Sequence, residues 1–198
     1  MYLLSLSENA HIQAKLHQEL SQINSSSPDD LPYLEAVIKE GLRCFPPIPM
    51  SAPRHVPAGG RTINGYFIPA GTIVSCQSWS VHRLNEDVYP DGDKFQPDRW
   101  LGENINVDMD RLFFAFGGGG RGCIGRQSVF FQFTTVPLRV ILTIISLAMA
   151  EMRTLLKTVY SKFRTRVADD MYGSMEMSDQ IISSRPLGQT CKLIFDPR

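Results

Sequence analysis

The sequence predicts a mixed, mainly helical fold carrying small β-hairpins, an α+β arrangement, on three observations. Apolar residues recur at helical spacing in three segments, β-branched and aromatic residues punctuated by Asn-Gly and Ala-Gly fill one stretch between them, and one Pro-, Gly- and charge-rich segment fits neither period. From Ser7, read as an N-cap, Ile12, Leu16, Leu20 and Ile23 recur amid Gln, Lys and Glu and mark the first amphipathic helix. Residues 24–30 (NSSSPDD) break it, and their last, Asp30, is placed to cap a second helix with Pro32 in its first turn. Leu34, Val37, Ile38 and Leu42 form that helix's buried stripe, and Pro46-Pro47 end it. Residues 61–76 read as short hairpins turning at Asn64-Gly65 and Ala70-Gly71. Residues 85–100 (NEDVYPDGDKFQPDRW) read as an ordered loop, and 112–116 (LFFAF) as strand-like. Residues 147–167 return to helical spacing, with Ala148, Met152, Leu155, Val159 and Phe163 along one side, and 180–195 read as short strands around Pro186-Leu187-Gly188. There is no internal repeat.

Composition narrows the function classes. The chain has 198 residues, 43% hydrophobic, with twenty basic and twenty acidic side chains, enough for a core and about one domain long. The zero formal charge, without a long single-sign run, removes the basic footprint of nucleic-acid binding. Cys44, Cys76, Cys123 and Cys191 are scattered, with no Cys-x-x-Cys pair, and read as reduced, intracellular thiols. The first fifteen residues lack the features of a secretory signal. Residues 128–150, by contrast, are nearly uncharged over about a membrane-spanning length, interrupted only by Pro137 and Arg139.

Three constellations carry chemistry. The first, residues 116–125 (FGGGGRGCIG), fits Phe-x-x-Gly-x-Arg-x-Cys-x-Gly at every fixed position. A cysteine that ligates iron does so as thiolate and needs its charge stabilised. Glycines let backbone amides approach the sulfur and a flat porphyrin face, and the end of a following helix would add to the effect. Arg121 has the fork geometry to pair with a haem propionate, and Gly125 keeps the first helical turn thin. An inert cysteine in a flexible glycine loop is the competing reading, which the full pattern outweighs. In the same residues Gly117-x-Gly119-x-x-Gly122 formally matches a dinucleotide fingerprint, but residues 127–150 contain no Asp or Glu for the ribose. The second constellation, Glu40-x-x-Arg43, puts a carboxylate and a guanidinium on one helical face, with Arg99 in residues 95–100 (FQPDRW) available as a third partner. The third is Pro53-Arg54-His55, after the turn at residues 48–52. Arg54 reads as a surface residue or as a second propionate partner.

Together these residues resemble the haem-thiolate monooxygenases, the cytochrome P-450 family. The cysteine loop, Glu40-x-x-Arg43, Phe95-x-Pro-Asp-Arg99-Trp100 and the Pro-Arg step occur in the family's order, from about residue 2 to 126 and again from 147 to the end. The resemblance implies a C-terminal, incomplete part of that fold, from a truncated fungal-type microsomal member. It implies Cys123 as the axial iron ligand, and Phe116, Gly117, Arg121, Gly125 and Arg54 around haem b (iron protoporphyrin IX). Glu40, Arg43 and Arg99 would form a structural triad, and Ile48, Met50, Ser51 and Ala52 would line the substrate pocket, with residues 175–182 adding to it. The implied reaction inserts one oxygen atom from dioxygen into a lipophilic small molecule, with electrons from NADPH through a partner reductase. The implied protein is a monomer of secondary metabolism at the cytosolic face of the endoplasmic reticulum.

Two departures accompany the matches. Family members are well over twice this length, and neither the family's acid-Thr oxygen-activating helix nor an N-terminal anchor precedes Tyr2. The expectation is that this polypeptide alone binds haem poorly and turns nothing over, so a catalytically inactive haem-binding or interaction fragment is the alternative reading. In addition, residues 128–146 separate Arg126-Gln127 from Leu147, where the family runs into one continuous helix. These nineteen residues read as a retained intron that preserves the frame; a real membrane span or apolar loop is the alternative, against which Pro137 and Arg139 weigh.

Overall fold

A computed structural model describes residues 2–22, 31–49, 52–123, 147–171, 174–179, 185–187 and 190–198. The chain enters through two helices, α1 (Tyr2–Glu8) and α2 (Ala10–Gln22), which meet at Asn9. The helix predicted from a Ser7 cap is therefore corrected. Ser7 lies inside α1, where its hydroxyl donates to the Leu3 carbonyl and hydrogen-bonds the Thr165 hydroxyl at 2.8 Å. The start of α2 belongs to Asn9, whose carbonyl accepts from the Ile12 and Gln13 amides. The segment before Ser7 is helical because Leu4 and Leu6 are buried, a contribution of about 1.5–3 kcal/mol for each side chain. Ile23 and Asp30 lie outside the described residues.

Helix α3 (Pro32–Cys44) is the central element, with Leu34, Val37, Ile38 and Leu42 buried against Ile12 and Leu16 of α2. Its first turn is capped from a distance: the Glu19 carboxylate of α2 accepts from the Tyr33 and Leu34 amides at 2.7 and 2.9 Å, satisfying two otherwise orphaned donors. The same core receives Leu156 and Tyr160 of α6 (Leu147–Lys162). Met152 and Val159, predicted on the buried side of α6, do pack against this core, but its deepest contacts are Leu156 and Tyr160, while Leu155 is half exposed. The helix also ends sooner than its spacing predicts. At Phe163 the chain becomes strand β5 (Phe163–Val167), paired antiparallel with β8 (Leu193–Pro197). Residues 163–167 bury only Thr165 while exposing Arg164 and Arg166, an alternation that suits a strand. Gln13 of α2 receives this strand as an edge would, accepting from the Thr165 amide and donating to its carbonyl.

The hairpins are small. Strands β2 (Arg61–Ile63) and β3 (Tyr66–Ile68) pair across Asn64 and Gly65, whose φ values of 49° and 83° give the two-residue turn expected of Asn-Gly. Gly71 (φ 81°) instead turns the chain into β4 (Ile73–Val74), which pairs with β1 (Arg54–His55) rather than with its sequence neighbour. Strands β6 (Ser174–Asp179) and β7 (Arg185–Leu187) form a fourth antiparallel pair. After the short helix α4 (Ser78–Val81), residues 85–100 are ordered turns ending in a 3₁₀ turn, Pro97–Trp100. Val88, Tyr89 and Trp100 pack with Ala36 of α3 and Met109 of α5 (Val107–Leu112) in a second core. Among the described residues no helix is long and apolar enough to cross a membrane; residues 128–146 lie outside them.

Candidate functional site

Two groups of functional side chains flank the aromatic second core. On one side, α3 presents Glu40 and Arg43, both fully buried, and the turns of residues 85–100 bring Arg99 to the same carboxylate. Arg43 is bidentate on Glu40, with Nε to Oε2 and Nη2 to Oε1 both at 2.9 Å. Arg99 Nε donates to Oε1 at 3.0 Å, the Gln96 amide to Oε1 at 2.8 Å and the Trp100 indole to Oε2 at 2.9 Å. Burial alone raises the Glu40 carboxyl, but the Arg43 hydrogen bonds and the charges of Arg43 and Arg99 outweigh it and hold the group below its ordinary 4.5. Arg43 also donates from Nη1 to the carbonyls of His82 and Gly92 and from Nη2 to that of Lys94. One buried pair thus gathers α3 and the whole loop 82–100.

On the other side lies the cysteine loop. Helix α5, capped by the Asn106 side chain on the Asp108 amide, ends at Leu112. The strand predicted for 112–116 does not form. Phe113 instead turns into the aromatic cluster, stacked on His82 at 5.7 Å and edge-on to Trp100 at 5.6 Å, and the Phe114 amide donates to His82 Nε2 at 2.8 Å. Without that strand the dinucleotide fingerprint loses its structural context. Phe116 packs against the main core. The loop then closes on itself, with the Gly117 amide on the Phe114 carbonyl (3.0 Å), Gly122 on Gly119 (3.0 Å) and Cys123 on Phe116 (2.7 Å). Gly117 and Gly119 take φ values of 69° and 62°, a region that favours glycine over any side chain. Arg121 and Cys123 are exposed, and Cys123 is a free thiol.

An open cleft of about 700 Å³ lies beside this loop, lined by Ala52, Arg54 and Ile63 from the hairpin region and by Phe114 and Gly118 from the loop. Arg54 is exposed at its wall and donates to the Pro53 carbonyl. Ile48 is 60% exposed, and its carbonyl accepts from the Ser78 hydroxyl. Met50, Ser51, Gly125 and the turn at residues 180–182 lie outside the described residues. The structure thus joins Glu40, Arg43 and Arg99 in one cluster, and sets Arg54, Ala52 and the glycine loop around one cleft.

The donor set can be tested against haem. Among the described residues no three His, Cys, Asp or Glu side chains cluster to hold a metal ion. A lone exposed sulfur on a glycine loop suits a metal that arrives with its own equatorial ligands, and a Cβ at Gly119 or Gly120 would meet nothing within 4 Å, so the loop leaves open space for a flat group. The residues fit. Reading the sequence did not single out His82 or the Glu19 cap. A single histidine between Val81 and Arg83, or a glutamate fourteen residues before its amide partner, has no spacing that announces it.

The sequence model of the cytochrome P-450 family matches residues 1–192. The curated cytochrome P-450 monooxygenase orf2 of Aspergillus niger is 39% identical over 132 residues, covering 64% of this chain and 26% of its own length. The cytochrome P-450 monooxygenase cloA of Claviceps purpurea is 37% identical over 131 residues, covering 65% and 25%. A retinoic acid-bound cyanobacterial CYP120A1 superposes with a TM-score of 0.73 at 22% identity, over 98% of this chain and 40% of that one, a likeness of fold. The chain spans about a quarter of the length of these curated relatives.

Proposed function

The chain belongs to the cytochrome P-450 family, and on that premise we propose that it forms the haem-binding part of a monooxygenase acting on a lipophilic small molecule with dioxygen and electrons from NADPH through a partner reductase. The observation that carries this reading is Cys123, a free, exposed thiol on a glycine loop closed by its own amide hydrogen bond to Phe116. Haem b, when bound, supplies oxygen activation at an iron made electron-rich by thiolate ligation. The chain's own residues bind and orient it. Cys123 would be the protein's ligand to the iron, Gly117 and Gly119 would keep the loop free of side chains, and the guanidiniums of Arg121 and Arg54 would pair with the propionates. Ala52, at the cleft wall, would contact substrate, and the same role is proposed for Ile48 and for Met50 and Ser51, which lie outside the described residues. The Glu40 cluster keeps the loop 82–100 against α3, behind the aromatic layer on which the cysteine loop rests. An endoplasmic reticulum location for the full-length protein belongs to the same proposal, as does the assignment of residues 128–146 to an unspliced insertion.

Haem binding by this polypeptide is separable from turnover, so the alternative reading is a haem-binding fragment without turnover. One experiment addresses both. Haem is titrated into the purified chain, the reduced carbon-monoxide difference spectrum is recorded, and dioxygen consumption is measured with NADPH and a reductase. A thiolate-type Soret band lost in Cys123→Ser, with product formed, supports the monooxygenase. The same band without turnover supports the fragment. No band, or one that survives Cys123→Ser, overturns the cysteine assignment.

A further inference from the structure

The geometry points to His82 as a positioning residue that holds the Phe116–Cys123 loop in register with helix α3; its consequence for iron ligation rests on the assignment of Cys123 made above. His82 is fully buried at the end of α4. One ring nitrogen, Nδ1, lies 3.0 Å from the Arg43 carbonyl in the last turn of α3, and the other, Nε2, lies 2.8 Å from the Phe114 amide nitrogen. A carbonyl can only accept and an amide N–H can only donate. The ring is therefore the neutral tautomer with its proton on Nδ1. Stacking of Phe113 at 5.7 Å and the edge of Tyr89 at 6.1 Å hold its plane, and the His82 carbonyl is itself tied to the Arg43 guanidinium at 3.0 Å.

What hangs from this ring is the cysteine loop. Phe114, whose amide His82 accepts, gives its carbonyl to Gly117, and Phe116 gives its carbonyl to Cys123. A path of hydrogen bonds and short chain segments thus runs from the Glu40–Arg43 pair through one imidazole to the cysteine backbone. Burial lowers the ring's affinity for a proton, and the charges of Arg43 and Arg83 lower it further, against the Arg43 carbonyl and Glu40, which raise it; this keeps Nε2 free to accept. No other described side chain receives the Phe114 amide.

The test uses the full chain without haem and reads residue-resolved amide exchange. In His82→Asn the shorter side chain still reaches the Arg43 carbonyl but not the Phe114 amide. In His82→Gln an acceptor oxygen is returned to the place of Nε2. Exchange at Phe114 and Cys123 is expected to quicken about fivefold in His82→Asn, the effect of one average hydrogen bond. It should return to within about twofold of wild type in His82→Gln, while the Ile38 and Leu42 amides of α3 stay unchanged in both. Unchanged loop exchange in His82→Asn, equal acceleration in α3, or no recovery in His82→Gln overturns the proposal. With haem added, the thiolate-type Soret band should weaken severalfold in His82→Asn and recover in His82→Gln. If that band survives Cys123→Ser, the ligand assignment falls while the exchange data still decide what His82 does.

Discussion

Replacing Glu40 by Gln tests the buried cluster directly. The carboxylate accepts five hydrogen bonds from nitrogen donors, two from Arg43 and one each from Arg99, Gln96 and Trp100, and a longer one from the Cys44 thiol at 3.9 Å, with Glu40 and Arg43 fully buried. An amide of the same shape keeps one acceptor oxygen but turns an N–H₂ toward guanidinium donors and leaves two buried positive charges without a counter-charge. Breaking a buried pair in this way costs about 3–5 kcal/mol, a large part of the 5–15 kcal/mol that ordinarily holds a domain folded. Urea unfolding followed by intrinsic fluorescence reads the loss as a drop in midpoint at unchanged m-value. Trp100 lies in the cluster and Trp79 packs under Arg83, so the probe reports locally. The coupling is separable. Arg99→Met alone and together with Glu40→Gln should show a double mutant less destabilised than the sum of the singles by at least 1 kcal/mol, because the second change removes a charge that the first stranded. A Glu40→Gln loss below about 1 kcal/mol, or additive singles, would refute the view that this carboxylate holds the loop 82–100 on α3.

Two further outcomes follow from other contacts and a third from the sequence. Glu19→Ala removes the carboxylate that caps Tyr33 and Leu34 and should cost about 1–2 kcal/mol by thermal or urea unfolding, with amide exchange rising first at residues 33–35; an effect no larger than at an exposed α2 glutamine refutes the cap. His82 is depressed from 6.5 to about 4, chiefly by burial, so its neutral form contributes stability fully present above pH 6.5 and progressively lost as pH falls toward 4, up to roughly 3 kcal/mol. The wild-type minus His82→Gln stability difference should shrink over that window, and a flat difference refutes it. Glu40, held below its ordinary 4.5, keeps its contribution above pH 4.5 and loses it only as pH falls below that, so the decline between pH 6.5 and 4.5 belongs to His82. Finally, mature transcript should lack the codons for residues 128–146; abundant transcript that retains them defeats the reading of this stretch as an unspliced insertion.

What could be read from the sequence is what local periodicity encodes. Leu34, Val37, Ile38 and Leu42 announce the buried face of α3 because a helix repeats its own pattern, and Asn64-Gly65 announces its hairpin because two positive φ values are needed at those positions. Wherever a distant partner decides, the periodic reading errs. Phe163 continues the spacing of α6, yet it begins a strand because residues 193–197 and the Gln13 amide offer backbone partners that a further helical turn would leave unmet. The break between α1 and α2 falls at Asn9 rather than at Ser7 for a similar reason, since Ser7 is engaged by Thr165, far along the chain. The same distinction runs through the candidate site. Glu40 and Arg43 share a helical face at a spacing of three, so their pairing is local. Their contact with Arg99, and the link from Arg43 through His82 to Phe114, exist only because residues 82–100 wrap back onto α3. A histidine whose two nitrogens serve segments on either side of it in the chain carries no pattern of its own. Its role is therefore a property of the packed structure, and substitutions that spare every residue of the cysteine motif should still disturb the loop through this ring.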